Sequence, residues 1–374
     1  MRKLRFISSE DACLRLKVSA QTLYAYVSRG LVRTTLDPFD SRKRQYAVVD
    51  IEDLVARQER GRSRRSVAQS TIHFGEPILQ SRISNIDGGA FYYRGQDAVQ
   101  LSRTASLEDI FELLCNTTIS DFKLSSKSAT VSKRRSVLAR FTEVLADQLA
   151  RDRTYGNKNQ AFRLLKLMAY NAAQQTGHAG QAIHELLAAA WSNDPRAADL
   201  IRRGLVLSAD HELNASTYAT RITASAGANL SACLLTGVAT LSGHHHGGLT
   251  NLCIAWMKKS SKQKANTMRL SEASQPPGFG HKLYPNGDPR TNELLQHCPP
   301  PQSWQRVAKR VITTTNHHPT LDYGLATLEH QLKLPKGAGF SIFAVGRTVG
   351  WLAHCFEQRR DGRLIRPRAS SESA

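Results

Sequence analysis

The run Val137-Leu138-Ala139-Arg140-Phe141-Thr142-Glu143-Val144-Leu145-Ala146-Asp147-Gln148-Leu149 carries apolar residues at 137, 138, 141, 144, 145 and 149. Spacings of three and four place them on one stripe of an α-helix. The pattern returns at Phe162, Leu164-Leu165 and Leu167-Met168, and again at Ile183 and Leu186-Leu187. Few segments alternate apolar and polar residues as strands do. The spacing predicts a mainly all-α body over 135–245, whose buried helices hold residues in the turns between them.

The whole chain has 374 residues, with 51 Lys+Arg against 31 Asp+Glu and a formal net charge of +20. Hydrophobic residues make up 41% and charged ones 22%. This is globular composition, which excludes a disordered, collagen-like or disulfide-scaffold chain. Cys13, Cys115, Cys233, Cys253, Cys298 and Cys355 lie far apart, with no C-x-x-C pair. Dispersed thiols suit a reducing, cytoplasmic setting and argue against a zinc ribbon or redox dithiol. Met1-Arg2-Lys3-Leu4-Arg5-Phe6 runs straight into polar Ser8-Ser9-Glu10-Asp11, so no secretory apolar region is expected. Ala228 to Leu241 is too short and too rich in Ser and Thr to span a bilayer, so no membrane partner is expected. The basic surplus favours polyanions: nucleic acid, or ligands with several carboxylates or phosphates.

Residues 1–70 hold 15 Lys+Arg and 8 Asp+Glu, about +7, leaving about +13 for the rest. Gly61-Arg62-Ser63-Arg64-Arg65-Ser66 reads as an exposed linker, placed at 61–70. Upstream, Ser8 or Ser9 can cap a short helix with an apolar face of Ala12, Leu14 and Leu16. A second helix, Ala20 to Arg29, would bury Leu23 and Val27 and stop at Gly30. Two β-prone runs, Leu31-Val32-Arg33-Thr34 and Arg42-Lys43-Arg44-Gln45-Tyr46-Ala47-Val48, would form a wing with a basic tip. Asp50 could cap a closing helix, Ile51 to Arg60.

Residues 1–60 resemble the winged helix-turn-helix domains of the MerR and excisionase group, in which a helix like 20–29 enters the DNA major groove. The resemblance implies that Gln21, Tyr24 and Arg29 face DNA while Arg42, Lys43 and Arg44 neutralise phosphates. A protein-contact module that kept this fold without binding DNA is the alternative.

Downstream, four segments set His, Arg or Asp beside Gly, where backbone can approach a ligand closely. They are Asp210-His211-Glu212 to Thr217, Ser242-Gly243-His244-His245-His246-Gly247-Gly248, Pro277-Gly278-Phe279-Gly280-His281-Lys282-Leu283-Tyr284 with Asp288-Pro289-Arg290, and Thr320-Leu321-Asp322-Tyr323-Gly324. A fifth, Phe343 to His354, contains Gly346-Arg347 and Gly350-Trp351 and leads to Arg366-Pro367-Arg368. Arg347 interrupts an apolar helix, and a buried arginine needs an anion. Taken singly, the other residues admit plainer roles. A His beside glycines serves turns and caps, and Asp322 could cap the helix after it. Three consecutive histidines cannot all face one ion, so no metal is expected.

In this order, the segments resemble citrate synthase, over residues 71–370, in a short bacterial subgroup. Ile83 to Gly95 matches that family's Tyr-Arg-Gly opening. The implied architecture is a large helical domain over 71–245, a small domain over 246–345 carrying much of the active site, and a return to the large domain over 346–374. The implied reaction condenses acetyl-CoA with oxaloacetate to citrate and CoA, with no cofactor beyond that substrate. A propionyl-CoA-using 2-methylcitrate synthase and a DNA-binding, ligand-sensing regulator are the alternatives. The resemblance assigns proton abstraction to Asp322, the enolate donor to His246 and polarisation of the ketone to His281. It gives carboxylate binding to His211, Arg290 and Arg347, and assigns Arg366 to the partner subunit's site in a homodimer with shared active sites. Lys282 and Gly280 fall at CoA-binding positions. His354 is read as a residue packed behind the site.

Several positions depart from the family pattern. His244 and His245 stand where Pro and a small or apolar residue are usual, so extra imidazoles are expected to perturb His246 or crowd the thioester. Leu249-Thr250 replaces Ala-Asn, Thr320 replaces an Asn ahead of Asp322, and Lys282 replaces an Arg. Residues 116–134 are rich in Ser and Lys and match no family motif.

Overall fold

The structure is a computed structural model that describes residues 6–28, 31–37, 40, 43–60, 79–119, 131–134, 136–152, 154–178, 180–263, 270–271 and 274–367. Arg29, Gly30, Arg42, Arg368, the 61–70 linker and residues 120–130 of the Ser/Lys-rich run lie outside the described residues. The chain divides into two compact units, Met1–Gln80 and Ser81–Ala374.

In the first unit, β1 (Phe6–Ile7) precedes α1 (Ser9–Leu16) and α2 (Ala20–Ser28), followed by β2 (Thr34–Leu36), β3 (Arg44–Ala47) and α3 (Val48–Arg60). Ser8 caps α1 by accepting from the Asp11 backbone N–H at 3.1 Å. β3 runs antiparallel between β1 and β2, pairing Thr34 with Tyr46 and Leu36 with Arg44. Ala12, Leu16, Leu23, Val32, Tyr46, Ile51 and Leu54 form the core.

Two expectations need correction here. Leu14 does not share the buried face of Ala12 and Leu16 but is 78% exposed. Ala12 and Leu16 are four residues apart, and Leu14, two from each, falls on the opposite side of the helix. Nor does Asp50 cap a helix from Ile51, because α3 already begins at Val48. Its carboxylate instead accepts from Arg33 N at 2.8 Å, Nε at 2.9 Å and Nη2 at 2.7 Å. Those Arg33 hydrogen bonds hold the Asp50 carboxyl below the usual range.

The second unit opens with a meander of β4 (Ser84–Asp87), β5 (Ala90–Tyr93) and β6 (Gln96–Asp97). Helices follow: α4 (Ala98–Thr104), α5 (Leu107–Cys115), α6 (Val137–Arg151), α7 (Lys158–Ala173), α8 (Ile183–Trp191), α9 (Ala197–Ser208), α10 (Ala215–Ser225) and α11 (Leu230–Leu241). Then come α12 (Leu249–Ser260), α13 (Pro289–His297), α14 (Gln302–Thr315), α15 (Leu321–Gln331) and α16 (Ala338–Asp361). The predicted stripes are buried in their centres, at Phe141, Val144 and Leu145 of α6 and through α7 and α8, while Leu138 and Leu149 lie at the exposed margin.

Every residue of α16 from Ala338 to Cys355 is buried. At 1.5 Å per residue, its 24 residues make a rod of about 36 Å through the main core. A smaller core gathers Cys253, Met257, Phe279, Trp304, Val311, Tyr323 and Ala326. α15 serves both, with Leu321, Leu325 and Leu328 in the main core and Tyr323 and Ala326 in the smaller one. Asp322 therefore sits where the two cores meet. Among the described residues no helix is long and apolar enough to cross a membrane.

Candidate active site

His211 lies in the turn between α9 and α10, buried, with Nε2 3.0 Å from the Tyr284 hydroxyl. Its ring stands edge-on to His281 with centroids 5.2 Å apart. His281 is carried by the loop 278–284, which needs its glycines. Gly278 has φ +84°, and a Cβ there would meet Cys253 Sγ at 2.4 Å. The loop is stitched to the segment entering α15: Gly280 N donates to His318 O at 2.8 Å, and Thr320 N to Gly278 O at 2.9 Å. The same local pairing thus positions His281 and, two residues past Thr320, Asp322.

Asp288 binds α13 to α15. It accepts from Arg290 Nε at 2.9 Å and Nη2 at 2.8 Å, and from Leu321 N at 3.2 Å. The Nη1–Nη2 edge of the Arg290 guanidinium has no protein carboxylate across it among the described residues. Arg347, buried on α16, donates from Nε to Ser208 O at 2.8 Å, and its Nη groups have no hydrogen-bond partner among the described residues. Burial pulls this guanidinium down to about 10, still protonated at neutral pH.

The half-buried His246 precedes α12, with Nε2 2.7 Å from Ser216 Oγ and 3.1 Å from Asn214 Oδ1. Trp351 Nε1 donates to the same Ser216 oxygen at 3.2 Å. Ser216 Oγ itself donates to Asn214 Oδ1 at 2.8 Å, and that amide oxygen can only accept, so the His246 ring proton lies on Nε2, facing both groups. For His281 the backbone decides, since Leu283 N donates to Nδ1 at 3.2 Å and the neutral ring must carry its proton on Nε2.

Electrostatics unify the site. Burial lowers His246 to about 3, with Arg347 adding to it. Burial and then Arg290 lower His281 to about 4. His211 falls well below its ordinary value through burial, then through Arg290, His281, Arg347 and His246. All three imidazoles are neutral at pH 7. Asp322 goes the other way: burial raises it to about 6, against a Thr250 hydrogen bond of 2.6 Å and the field of Arg290. Such mutual influence requires proximity, so the structure brings His211, His246, His281, Arg290, Asp322 and Arg347 into one neighbourhood. A carboxyl raised toward neutrality in the field of two buried cations that also act on neutral imidazoles can remove a weakly acidic proton and stabilise the anion that forms.

Other named residues fall elsewhere. His244 and His245 are exposed, and the shift of His246 comes from burial and Arg347, not from them. Lys282 is exposed, whereas Gly280 belongs to the paired loop. Arg366 is exposed in the extended segment after α16. Gln21 and Tyr24 are exposed on α2, and Lys43 and Arg44 at the β2–β3 hairpin. Thr320 precedes α15 without a side-chain capping bond, and its buried Oγ1 has no partner among the described residues. Asn214, Ser216, Tyr284 and Asp288 fall within the motif segments, and Thr250 just beyond one, but no sequence signal gives them a role. Their contacts span loops and helices that the sequence does not align.

The family model described as citrate synthase, C-terminal domain, matches residues 157–368. Citrate synthase 2 of Bacillus subtilis is 31% identical over 189 residues, 47% of this chain and 51% of that protein. A citrate synthase of Haloferax volcanii is 32% identical over 187 residues, 46% and 49% of the two chains. The chain thus spans about half the length of the curated relatives it matches. Citrate synthase from Thermotoga maritima superposes with a TM-score of 0.63 at 20% identity, over 80% of this chain and 94% of that one. The Thermoplasma acidophilum citrate synthase, solved with carboxymethyl coenzyme A and oxaloacetate, gives 0.64 at 19% identity over the same shares.

Proposed function

The chain belongs to the citrate synthase family, and from that premise we propose that it condenses acetyl-CoA with oxaloacetate to give citrate and CoA. The observation that carries this reading is Asp322, a carboxyl poised at about 6 in the field of Arg290, the guanidinium that also acts on neutral His211 and His281. Ionised Asp322 takes a proton from the thioester methyl group. The enolate oxygen that develops accepts from the His246 imidazole once Ser216 turns its proton from Asn214 to Nε2 and the ring proton passes to Nδ1. The enolate carbon attacks the oxaloacetate ketone while His281 Nε2–H donates to the oxygen becoming an alkoxide. Arg347 and the open edge of Arg290 hold carboxylates, with His211 as a further ligand. Water then cleaves the thioester, releasing CoA thiol and citrate. Each such donor is worth roughly 10²–10³ in rate.

Exposed Arg366 fits a residue that completes the partner's site in a homodimer. All six cysteines are free thiols, which fits a cytoplasmic setting. Propionyl-CoA differs by one methylene, worth only ~1–3 kcal/mol of selectivity. The test follows free-thiol release from acetyl-CoA with and without oxaloacetate, against Asp322→Ala. Oxaloacetate-dependent release from wild type alone supports the reading. Equal signals from both proteins remove it.

A second reading rests on the first unit. Two short helices lie beside an antiparallel hairpin, with Gln21 and Tyr24 exposed on α2 and Lys43 and Arg44 on the hairpin. We infer a winged helix-turn-helix from these elements, and that reading supports DNA binding through residues 1–60, with α2 reading bases and the hairpin meeting phosphates.

A further inference from the structure

Thr250 lies on α12, at a position where the family pattern has Asn, and 72 residues from Asp322. It is fully buried, and its hydroxyl donates to Asp322 Oδ1 at 2.6 Å. That is the short, charge-assisted kind of hydrogen bond a carboxylate accepts from a hydroxyl. Oδ2 has no side-chain hydrogen-bond partner among the described residues, and the backbone N–H of Asp322 itself also favours the ionised carboxylate. Thr250 is itself held. A Cβ on Gly339 would lie 3.0 Å from its Cγ2, so the methyl group packs against α16 and the hydroxyl stays turned to α15. Thr250 is a positioning residue here, not one that touches substrate.

We propose that Thr250 aims the Asp322 carboxylate, engaging Oδ1 so that Oδ2 is the oxygen that takes the substrate proton, and thereby sets the pH at which the base becomes competent. The inference deepens the proposed condensing activity and rests on it. Other groups face the same carboxyl: Arg290 and Asp288 from α13 and its cap, Arg347 from α16 and the Cys253 thiol from α12. Arg290 and Arg347 favour the charged form, while Asp288 opposes it. None of these contributes an uncharged hydrogen-bond donor to Oδ1, so removing the Thr250 hydroxyl leaves the other charges in place and withdraws one stabiliser of the ionised form.

The experiment compares wild type with Thr250→Val, Thr250→Ala and Thr250→Ser. Titration of the Asp322 carboxyl is read by infrared difference against Asp322→Asn, alongside the acid limb of kcat/KM. Thr250→Val keeps the shape and deletes the donor, and Thr250→Ala deletes it without relying on the tight packing against Gly339. Both are expected to raise the midpoint by about one pH unit, ~1.4 kcal/mol. The acid limb should move with it, at an unchanged KM for oxaloacetate. Thr250→Ser, which keeps the donor, should retain the wild-type midpoint. An unchanged infrared midpoint in the valine and alanine variants overturns the role of Thr250. Because the infrared signal needs no turnover, absence of thiol release overturns the proposed activity separately.

Discussion

His354 Nε2 donates to Asp210 Oδ2 across 3.2 Å, and the direction is fixed by a third residue. Arg221 Nη1, which can only donate, lies 3.3 Å from His354 Nδ1, so the imidazole proton belongs on Nε2. The chain continues outward, since Arg221 also pairs with Glu357 at 2.8 Å. Inward, Asp210 accepts from Ser84 Oγ at 2.5 Å and adjoins His211 in sequence. A continuous buried network thus stands behind the turn carrying His211.

Removing His354 should be costly. Burial alone would raise the Asp210 carboxyl, but His354, Arg347 and Ser84 outweigh it and hold it below the usual range. A depressed carboxyl stabilises the fold above its unfolded value, and that stability is lost as pH falls through the lowered folded value. His354→Ala takes one hydrogen bond from the Asp210 charge and an acceptor from Arg221, a loss of about 1.5–3 kcal/mol. Urea unfolding at pH 7 should show a lower midpoint at unchanged m, and acid unfolding should begin at higher pH. A wild-type midpoint would show that the network carries no stability.

Gly350 tests the same turn from the helix side. Its N–H donates to Ala209 O at 2.9 Å, and a Cβ would stand 2.4 Å from both that oxygen and Asp210 Oδ1. In an open helix Gly→Ala stabilises by about 0.4–1 kcal/mol. Here Gly350→Ala should instead destabilise by ~1–3 kcal/mol, because backbone and an anchored carboxylate must both move. Thermal unfolding decides the sign.

Asp322 should couple activity and stability in opposite directions. Its folded pKa, about 6, lies above the ordinary carboxyl value of 3.8. The buried charge therefore opposes folding: stability falls as pH rises between these values and stays lower above them. Asp322→Asn should abolish oxaloacetate-dependent thiol release yet unfold at a higher denaturant concentration at pH 8, by up to ~3 kcal/mol. Wild-type kcat/KM should decline as pH drops through about 6. A less stable asparagine variant at pH 8 would mean that burial is not the source of the raised value.

For the first unit, binding of a fluorescein-labelled duplex should weaken steeply with salt. Lys43→Ala and Arg44→Ala should each reduce the slope of log K against log salt by about one. Tyr24→Ala should weaken binding while leaving the slope near its wild-type value. A slope near zero in the wild-type chain would leave this unit as a protein-contact module.

Much of the molecule was legible in one dimension. The stripes at 137–149, 162–168 and 183–187 announced helices because burial on one helical face repeats every three to four residues. A serine cap at 8 or 9 and the run that became β3 were equally local, whereas the run Leu31–Thr34 meets β2 only at Thr34, the strand extending on to Leu36. Leu14 and Asp50 were misread, since helix phase and the partner of a carboxylate depend on what packs alongside. Ordered motifs around His211, His246, His281, Arg290, Asp322 and Arg347 identified the family without any distance.

The sequence by itself determined the helical class, the family and the candidate residues, because periodicity, turn glycines and motif order are properties of neighbours along the chain. Only the tertiary structure decided that Thr250 holds Asp322, that Ser216 meets His246 and that His354 braces Asp210. Those pairs are 72, 30 and 144 residues apart. They exist because helices packing around α16 desolvate the groups together, and a buried polar atom must then take whichever partner the packing presents.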